Sequence, residues 1–263
     1  MNDDGDCGVK VMPKSSFLAA MLEKEGRKDS NHDYLAYHRK RFEYTLAACC
    51  RLKPDRYTKV LDVGRSFMSW RLASHYDSVT TLGFPIGTHG FGKNETEEYP
   101  GSGPVNHIVF NLNDSERDPI PTNKRFDLII FAEIIEHLVT APELVLRALA
   151  SLLEPEGILL VQTPNAAAIQ HRLKLAIGIN PFMRLRFNPD NPGHIREYTK
   201  CEIEECSKLA GLRVVEHHYA DYFRPDFEGL KGTLDVALRA MSILIPSFRR
   251  GQTVILKRAE PSS

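Results

Sequence analysis

The chain has 263 residues, enough to bury one full core with additions or two small ones. Lysine plus arginine equals aspartate plus glutamate at 34 each, so no overall field draws the protein to nucleic acid, which is not an expected partner. Five cysteines without a C-x-x-C pair argue against zinc or disulfide scaffolds, and an acidic start (Met1-Asn2-Asp3-Asp4) with no apolar run of about 20 residues argues against a signal peptide or spanning helix, so a cytoplasmic location is expected.

Residues 1–30 are polar and aperiodic, and are expected to be disordered. Tyr34, Tyr37, Phe42, Leu46 and Cys49 recur at helical spacing between Asp33 and Leu52, and Pro54 stops the run; residues 31–57 read as an N-terminal helical cap. Val60–Val63 reads as a strand, Phe67–His75 as a helix, and Ser78–Leu82, His107–Phe110 and Phe126–Ala132 as further strands. Thr140-Ala141-Pro142-Glu143 has the form of a capping box opening a helix to Leu153, and Glu154-Pro155-Glu156-Gly157 reads as a turn into the strand Ile158–Gln162. Thr199-Lys200-Cys201-Glu202 is a second capping box, with Gly211 as the left-handed stop of its helix. Leu212–His218 and Gln252–Lys257 read as the last strands. Strands alternating with helices predict an open α/β sheet covered on both faces. Segments 165–198 and 220–250 stand outside that rhythm as inserts.

Two motifs carry the functional reading. The apolar run Val60-Leu61 ends in Asp62-Val63-Gly64, as a buried parallel strand does where its carboxyl end opens on a ligand crevice. The run Phe126-Asp127-Leu128-Ile129-Ile130-Phe131 ends likewise, in Ala132-Glu133-Ile134-Ile135-Glu136-His137. Together these runs, with the strand spacing from Lys59 to Lys257, resemble class I S-adenosylmethionine (SAM)-dependent methyltransferases. The resemblance implies a Rossmann-like, seven-stranded, mostly parallel sheet over residues 58–263, with the two inserts on the substrate side. It also implies SAM as cofactor, met by Asp62, Gly64, Arg65, Ser66, Gly83, Asn111, Leu112, Ala132 and Glu133. The chain departs from the family pattern in three places. Ser66 and Met68 stand where the second and third loop glycines usually fall, Gly83-Phe84 replaces the ribose-binding carboxylate, and Asn111 replaces a common aspartate, leaving Asn113 or Asp114 to meet the adenine edge. The N-terminal helix, with Tyr34, Tyr37, His38 and Arg41, can close over the cofactor or simply pack on the sheet edge.

On an α-helix, Glu133, Glu136 and His137 would share one face. With His194 of Gly193-His194-Ile195-Arg196-Glu197-Tyr198-Thr199, they resemble the sites of ubiquinone-biosynthesis O-methyltransferases and of RNA 2′-O-methyltransferases. That resemblance implies a divalent metal held by Glu133, Glu136, His137 and His194. Glu136, His137 and His194 would act on the acceptor, with His194 as general base if no metal is used. The bland reading is that the acids favour a helix start and the histidine packs. Segment 165–188 has no acidic residue and mixes apolar side chains with Arg and Lys, which suits a peripheral membrane contact or an ordinary amphipathic lid. The run from Thr163-Pro164-Asn165 to the His-x-Arg-Glu-Tyr-Thr stretch is similar to polysaccharide-cluster methyltransferases. The reading is therefore O-methylation of a hydroxyl on a glycan, lipid-linked sugar or small metabolite. The alternatives are a methyltransferase fold that binds without catalysis and a metal-dependent RNA 2′-O-methyltransferase.

Overall fold

The computed structural model describes residues 30–86, 105–188, 192–222 and 233–260. The expected disorder of residues 1–29 and the centre of the 220–250 insert lie outside these residues. The strands are β1 (Lys59–Val63), β2 (Ser78–Gly83), β3 (Asn106–Val109), β4 (Phe126–Ala132), β5 (Leu153–Pro164), β6 (Leu212–Ala220) and β7 (Gly251–Arg258). They form one seven-stranded sheet in the order β3-β2-β1-β4-β5-β7-β6, with β7 antiparallel to both of its neighbours and the other pairings parallel. The helices are α1 (Ser30–Leu52), α2 (Phe67–Ala73), α3 (Pro142–Ser151), α4 (Ile169–Ala176), α5 (Lys200–Leu209) and α6 (Thr233–Leu244). This is the open α/β sheet that the alternation of strands and helices predicts, in the seven-stranded, mostly parallel, Rossmann-like form that the resemblance implies.

Successive side chains of a strand face opposite sides, so central strands here are apolar at nearly every position. Val60, Leu128, Ile130 and Leu160 pack against Phe42, Leu46 and Cys49 of α1 and Met68 and Leu72 of α2. Leu61, Val63, Ile129 and Phe131 pack on the other face against Val145, Leu146 and Leu149 of α3 and Ile203 of α5. Each such side chain removed from water contributes about 1.5–3 kcal/mol before ordering costs. Both faces of β1 and β4 are fixed in this way, so their carboxyl ends are held rigidly.

Local details refine the sequence reading. The Thr199–Glu202 box forms as expected, and Gly211 follows α5 with φ +76°. Thr140 does not cap α3. Pro142 at the first helical position holds Ala141 extended (φ −65°, ψ 125°), making Ala141 the N-cap residue. The turn Glu154–Gly157 lies within β5, where pairing jumps from Phe126–Leu153 to Leu128–Ile158. A Cβ on Gly157 would sit 2.9 Å from the Phe126 and Glu154 carbonyls, so only glycine fits this bulge. Helices α4 and α6 lie within the two inserts, outside the elements that sequence spacing predicts.

Candidate active site

The chain leaves β1 toward β2 on one side of the sheet and β4 toward β5 on the other. The β1/β4 boundary is thus where an α/β sheet opens a crevice at its carboxyl ends. Gly64 turns the chain there with φ +79°, and its N–H donates to the Leu82 carbonyl at 2.8 Å. A Cβ on Gly64 would stand 2.7 Å from Ile134 Cδ1, so the loops after β1 and β4 touch through the missing side chain. Asp62 is 3% exposed and accepts a 2.5 Å hydrogen bond from Ser69 Oγ. The same Oγ accepts the Ser66 N–H at 3.0 Å, and Ser66 Oγ accepts the Met68 N–H at 3.2 Å. The serine at the second glycine position is therefore the N-cap of α2. Met68 is buried in the α1–α2 apolar cluster, and Phe67 packs on Phe42 with centroids 5.6 Å apart. Arg65 is buried at the same turn.

The ends of β2 and β3 are tied by His107. Its Nε2–H donates to the Phe84 carbonyl at 2.9 Å, so Nδ1 accepts the Thr81 hydroxyl at 2.8 Å. Burial holds this imidazole below its usual pKa. Gly83 accepts the Phe110 N–H through its carbonyl at 2.8 Å. Asn111 caps a short 3₁₀ turn (Leu112–Asp114) and accepts the Asn113 N–H at 3.1 Å and its side-chain amide at 3.2 Å. Asn113 Oδ1 in turn accepts the Val139 N–H at 2.9 Å, joining this loop to the one after β4.

After Ala132 the chain makes a turn with Glu133 at φ 58°, then a 3₁₀ turn at Ile135–His137. The acidic motif is thus not one face of an α-helix; a left-handed residue and a tighter turn set Glu136 and His137 together and Glu133 apart. Glu136 is fully buried; its Oε2 accepts Thr163 Oγ1 at 2.9 Å, and Oε1 has no hydrogen-bond partner among the described residues. Its carbonyl accepts the Ile195 and Arg196 N–H groups at 2.7 and 3.2 Å, which clamps the His194 segment onto the turn. His137 Nδ1 donates to the Gly193 carbonyl at 2.9 Å, and its Nε2 lies 4.0 Å from Glu136 Oε1. His194 Nδ1 pairs with Glu197 Oε1 at 3.0 Å, and the two imidazole rings meet edge to face at 5.0 Å.

Ligand atoms of Glu136, His137 and His194 lie within 4.8 Å of one another. Each imidazole commits Nδ1 to an oxygen and keeps Nε2 as its lone-pair nitrogen, an arrangement that orients metal-bound histidines. With the orphaned Glu136 oxygen, the donor set suits Zn²⁺ or Fe²⁺ better than Mg²⁺. Glu133 falls outside that trio: its Oε2 is 3.8 Å from the Arg41 guanidinium, and its Oε1 has no hydrogen-bond partner among the described residues. Burial, reinforced by the Glu136 carboxylate and opposed by Arg41, pushes the Glu133 carboxyl well up. Burial also raises Glu136, against the pull of His137. The hydrogen bond His194 donates to Glu197 raises the histidine's pKa.

Helix α1 lies across the ends of β4 and β5. Beside the Arg41–Glu133 contact, Thr45 Oγ1 donates to the fully buried Gln162 Oε1 at 3.0 Å. His38, on the same helix, is lowered to about 3 by burial and by Arg41. Sequence reading missed Ser69, Thr163 and Glu197. Each left a faint signal: Ser69 stands three residues after the cap position, Thr163 ends a strand, and Glu197 lies one helical turn from His194.

A family model described as a methyltransferase domain matches residues 37–217. The chain is similar in fold to a SAM-dependent methyltransferase from Clostridium acetobutylicum ATCC 824, with 13% identity, TM-score 0.56, and 94% of this chain and 99% of that one covered. It is similar to magnesium protoporphyrin IX methyltransferase from Synechocystis PCC 6803 with bound S-adenosylhomocysteine (SAH), with 13% identity, TM-score 0.53, and 94% and 95% covered. It is also similar to N-methyltransferase NodS from Bradyrhizobium japonicum WM9 in complex with SAH, with 14% identity, TM-score 0.54, and 92% and 99% covered. At these identities the likeness is one of fold. No curated protein matches the chain in sequence.

Proposed function

The chain belongs to the methyltransferase-domain family and is a methyltransferase, and from that premise we propose that it moves the methyl group of SAM to a hydroxyl oxygen of a small-molecule or glycan acceptor. The observation that carries this reading is the Glu136–His137–His194 trio, set beside the glycine turn that would hold the donor. SAM supplies an electrophilic methyl on a sulfonium. Gly64 makes the left-handed turn at this site, and Ser69 fixes the Asp62 carboxylate beside it. Ala132 and Glu133, at the end of β4, flank the same crevice. Gly83, Asn111 and Leu112 line the ends of β2 and β3, where a nucleoside would lie. Methyl transfer then needs an oxygen in line with the methyl–sulfur bond and a route for its proton.

A divalent cation held by Glu136, His137 and His194 would lower the pKa of the acceptor hydroxyl and orient it. Thr163 holds Glu136, Gly193 holds His137, and Glu197 holds His194, so the trio is fixed in advance. A second reading needs no cation. His194 Nε2 takes the hydroxyl proton, and Glu197 stabilises the imidazolium that results. Calorimetric titration with SAH tests the donor site, and a protein that gives no heat is a binding scaffold of another kind. Transfer of labelled methyl from SAM after chelation, with and without added Zn²⁺ or Mn²⁺, separates the two proton routes: loss on chelation with recovery on metal supports the cation, and full activity in chelator supports His194 alone.

A further inference from the structure

From Arg172 to Asn188 every residue except Pro181 is exposed, yet the stretch includes Leu173, Leu175, Ile177, Ile179, Leu185 and Phe187. Helix α4 contacts α6 and the 3₁₀ turn Pro246–Phe248, and α6 ends in Ile243 and Leu244, which are 70% and 80% exposed. So many exposed large apolar side chains on one run and the element it contacts are more than water normally faces on a folded domain, and they call for a cover. Its charge identifies the cover. Lys174, Arg184 and Arg186 are exposed, with no ion pair among the described residues, and residues 165–188 contain no carboxylate. A second copy of this face, related by a two-fold axis, would set these cations against their own kind. A bilayer of anionic phospholipid meets both demands, acyl chains for the apolar side chains and phosphates for the cations.

We propose that residues 172–188, with the end of α6, dock on an anionic phospholipid bilayer, and that the acceptor arrives as a membrane-resident amphiphile presenting its hydroxyl at headgroup level. The second half of this proposal rests on the methyl-transfer reading. The geometry joins the two surfaces: His171, the residue before the exposed run, lies 3.7 Å from Glu197 Oε2, and the other Glu197 oxygen holds His194. Phe182 of the exposed run packs back on the His171 ring at 5.3 Å. A lipid surface against this run would therefore lie beside the candidate acceptor site.

The test is flotation of the full chain with phosphatidylcholine/phosphatidylglycerol 3:1 vesicles and with phosphatidylcholine alone. Binding to the anionic vesicles, at least about tenfold weaker on the neutral ones and weakened by added salt, is expected. Arg184→Ala with Arg186→Ala should weaken it by about fivefold per cation, and Leu185→Asp with Phe187→Asp should abolish it. The SAH-induced thermal shift of each variant should equal that of the parent, which separates lost docking from lost folding. Failure of the parent to float overturns the proposal, as does a dimer in sedimentation that Leu185→Asp with Phe187→Asp dissociates. Flotation without SAH binding would leave the docking face standing and remove the methyl-transfer reading.

Discussion

Replacing Ser69 with alanine should cost more than a buried hydroxyl in a short helix ordinarily does. Its Oγ donates to the Asp62 carboxylate at 2.5 Å and accepts the Ser66 N–H at 3.0 Å, in a residue with no exposed surface. A hydrogen bond to a charged group contributes about 1.5–3 kcal/mol, and a neutral one about 0.5–1.5 kcal/mol. Alanine returns about 0.5 kcal/mol of helix propensity. The net loss is therefore about 1.5–4 kcal/mol, or roughly 3–16 °C in Tm for a chain of this size. Ser66→Ala, which removes only the cap to Met68, should cost about 1 kcal/mol. Urea denaturation measures both changes, and SAH calorimetry should show about tenfold weaker binding for Ser69→Ala as the Asp62 turn loosens. If Ser69→Ala lost less than about 0.5 kcal/mol, the hydroxyl would not be what fixes Asp62, and the account of the turn would fail.

Gly64→Ala combines a left-handed backbone with a 2.7 Å approach to Ile134 Cδ1 and should cost about 1–3 kcal/mol. Ile134→Val should recover part of that loss in a double-mutant cycle, and strict additivity would refute the contact. Glu136→Gln should abolish any cation-induced thermal shift and lower transfer about a hundredfold, while the SAH shift stays; an unchanged metal response would remove Glu136 from the cation site. His38, held near 3, stays neutral in the fold while an unfolded histidine takes up a proton near pH 6.5. Its contribution is complete above pH 6.5 and is lost as pH falls toward 3, by at most about 1.4 kcal/mol per pH unit. Urea midpoints at pH 7 and 5.5 should therefore converge more closely for His38→Gln than for the parent; equal pH sensitivity would refute the burial of that ring.

The central strands could be read from the residues because burial on both faces makes them apolar almost throughout, as Leu128 to Phe131 shows. The Thr199 cap and the Gly211 stop were equally plain, since both depend on neighbours a few residues away. Helices α4 and α6 were not, because insert helices whose apolar side chains stay exposed lack the two-sided pattern of a core helix. The turn at Glu133 reads as helix because spacing alone cannot reveal a left-handed residue. The meeting of Glu136 with His194 depends on backbone bonds from Ile195 and Arg196 across some sixty residues of sequence, so only the family resemblance suggested it. Ser69 and Glu197 went unread for a related reason. Their roles are defined by which oxygen or nitrogen they reach in space, and composition gives no hint of that.

The position of β7 constrains how the protein is made. Among the described residues β6 has no strand partner other than β7, and β7 is inserted between β5 and β6 although it is the last strand to be synthesised. On the ribosome, the stretch from β1 to β5 can assemble in step with translation, because each of its strands already has a neighbour. β6 must wait with an open edge until Gly251–Arg258 clears the exit tunnel. A nascent chain stalled before that point would offer unpaired backbone on both β5 and β6, making it a target for chaperones and proteases.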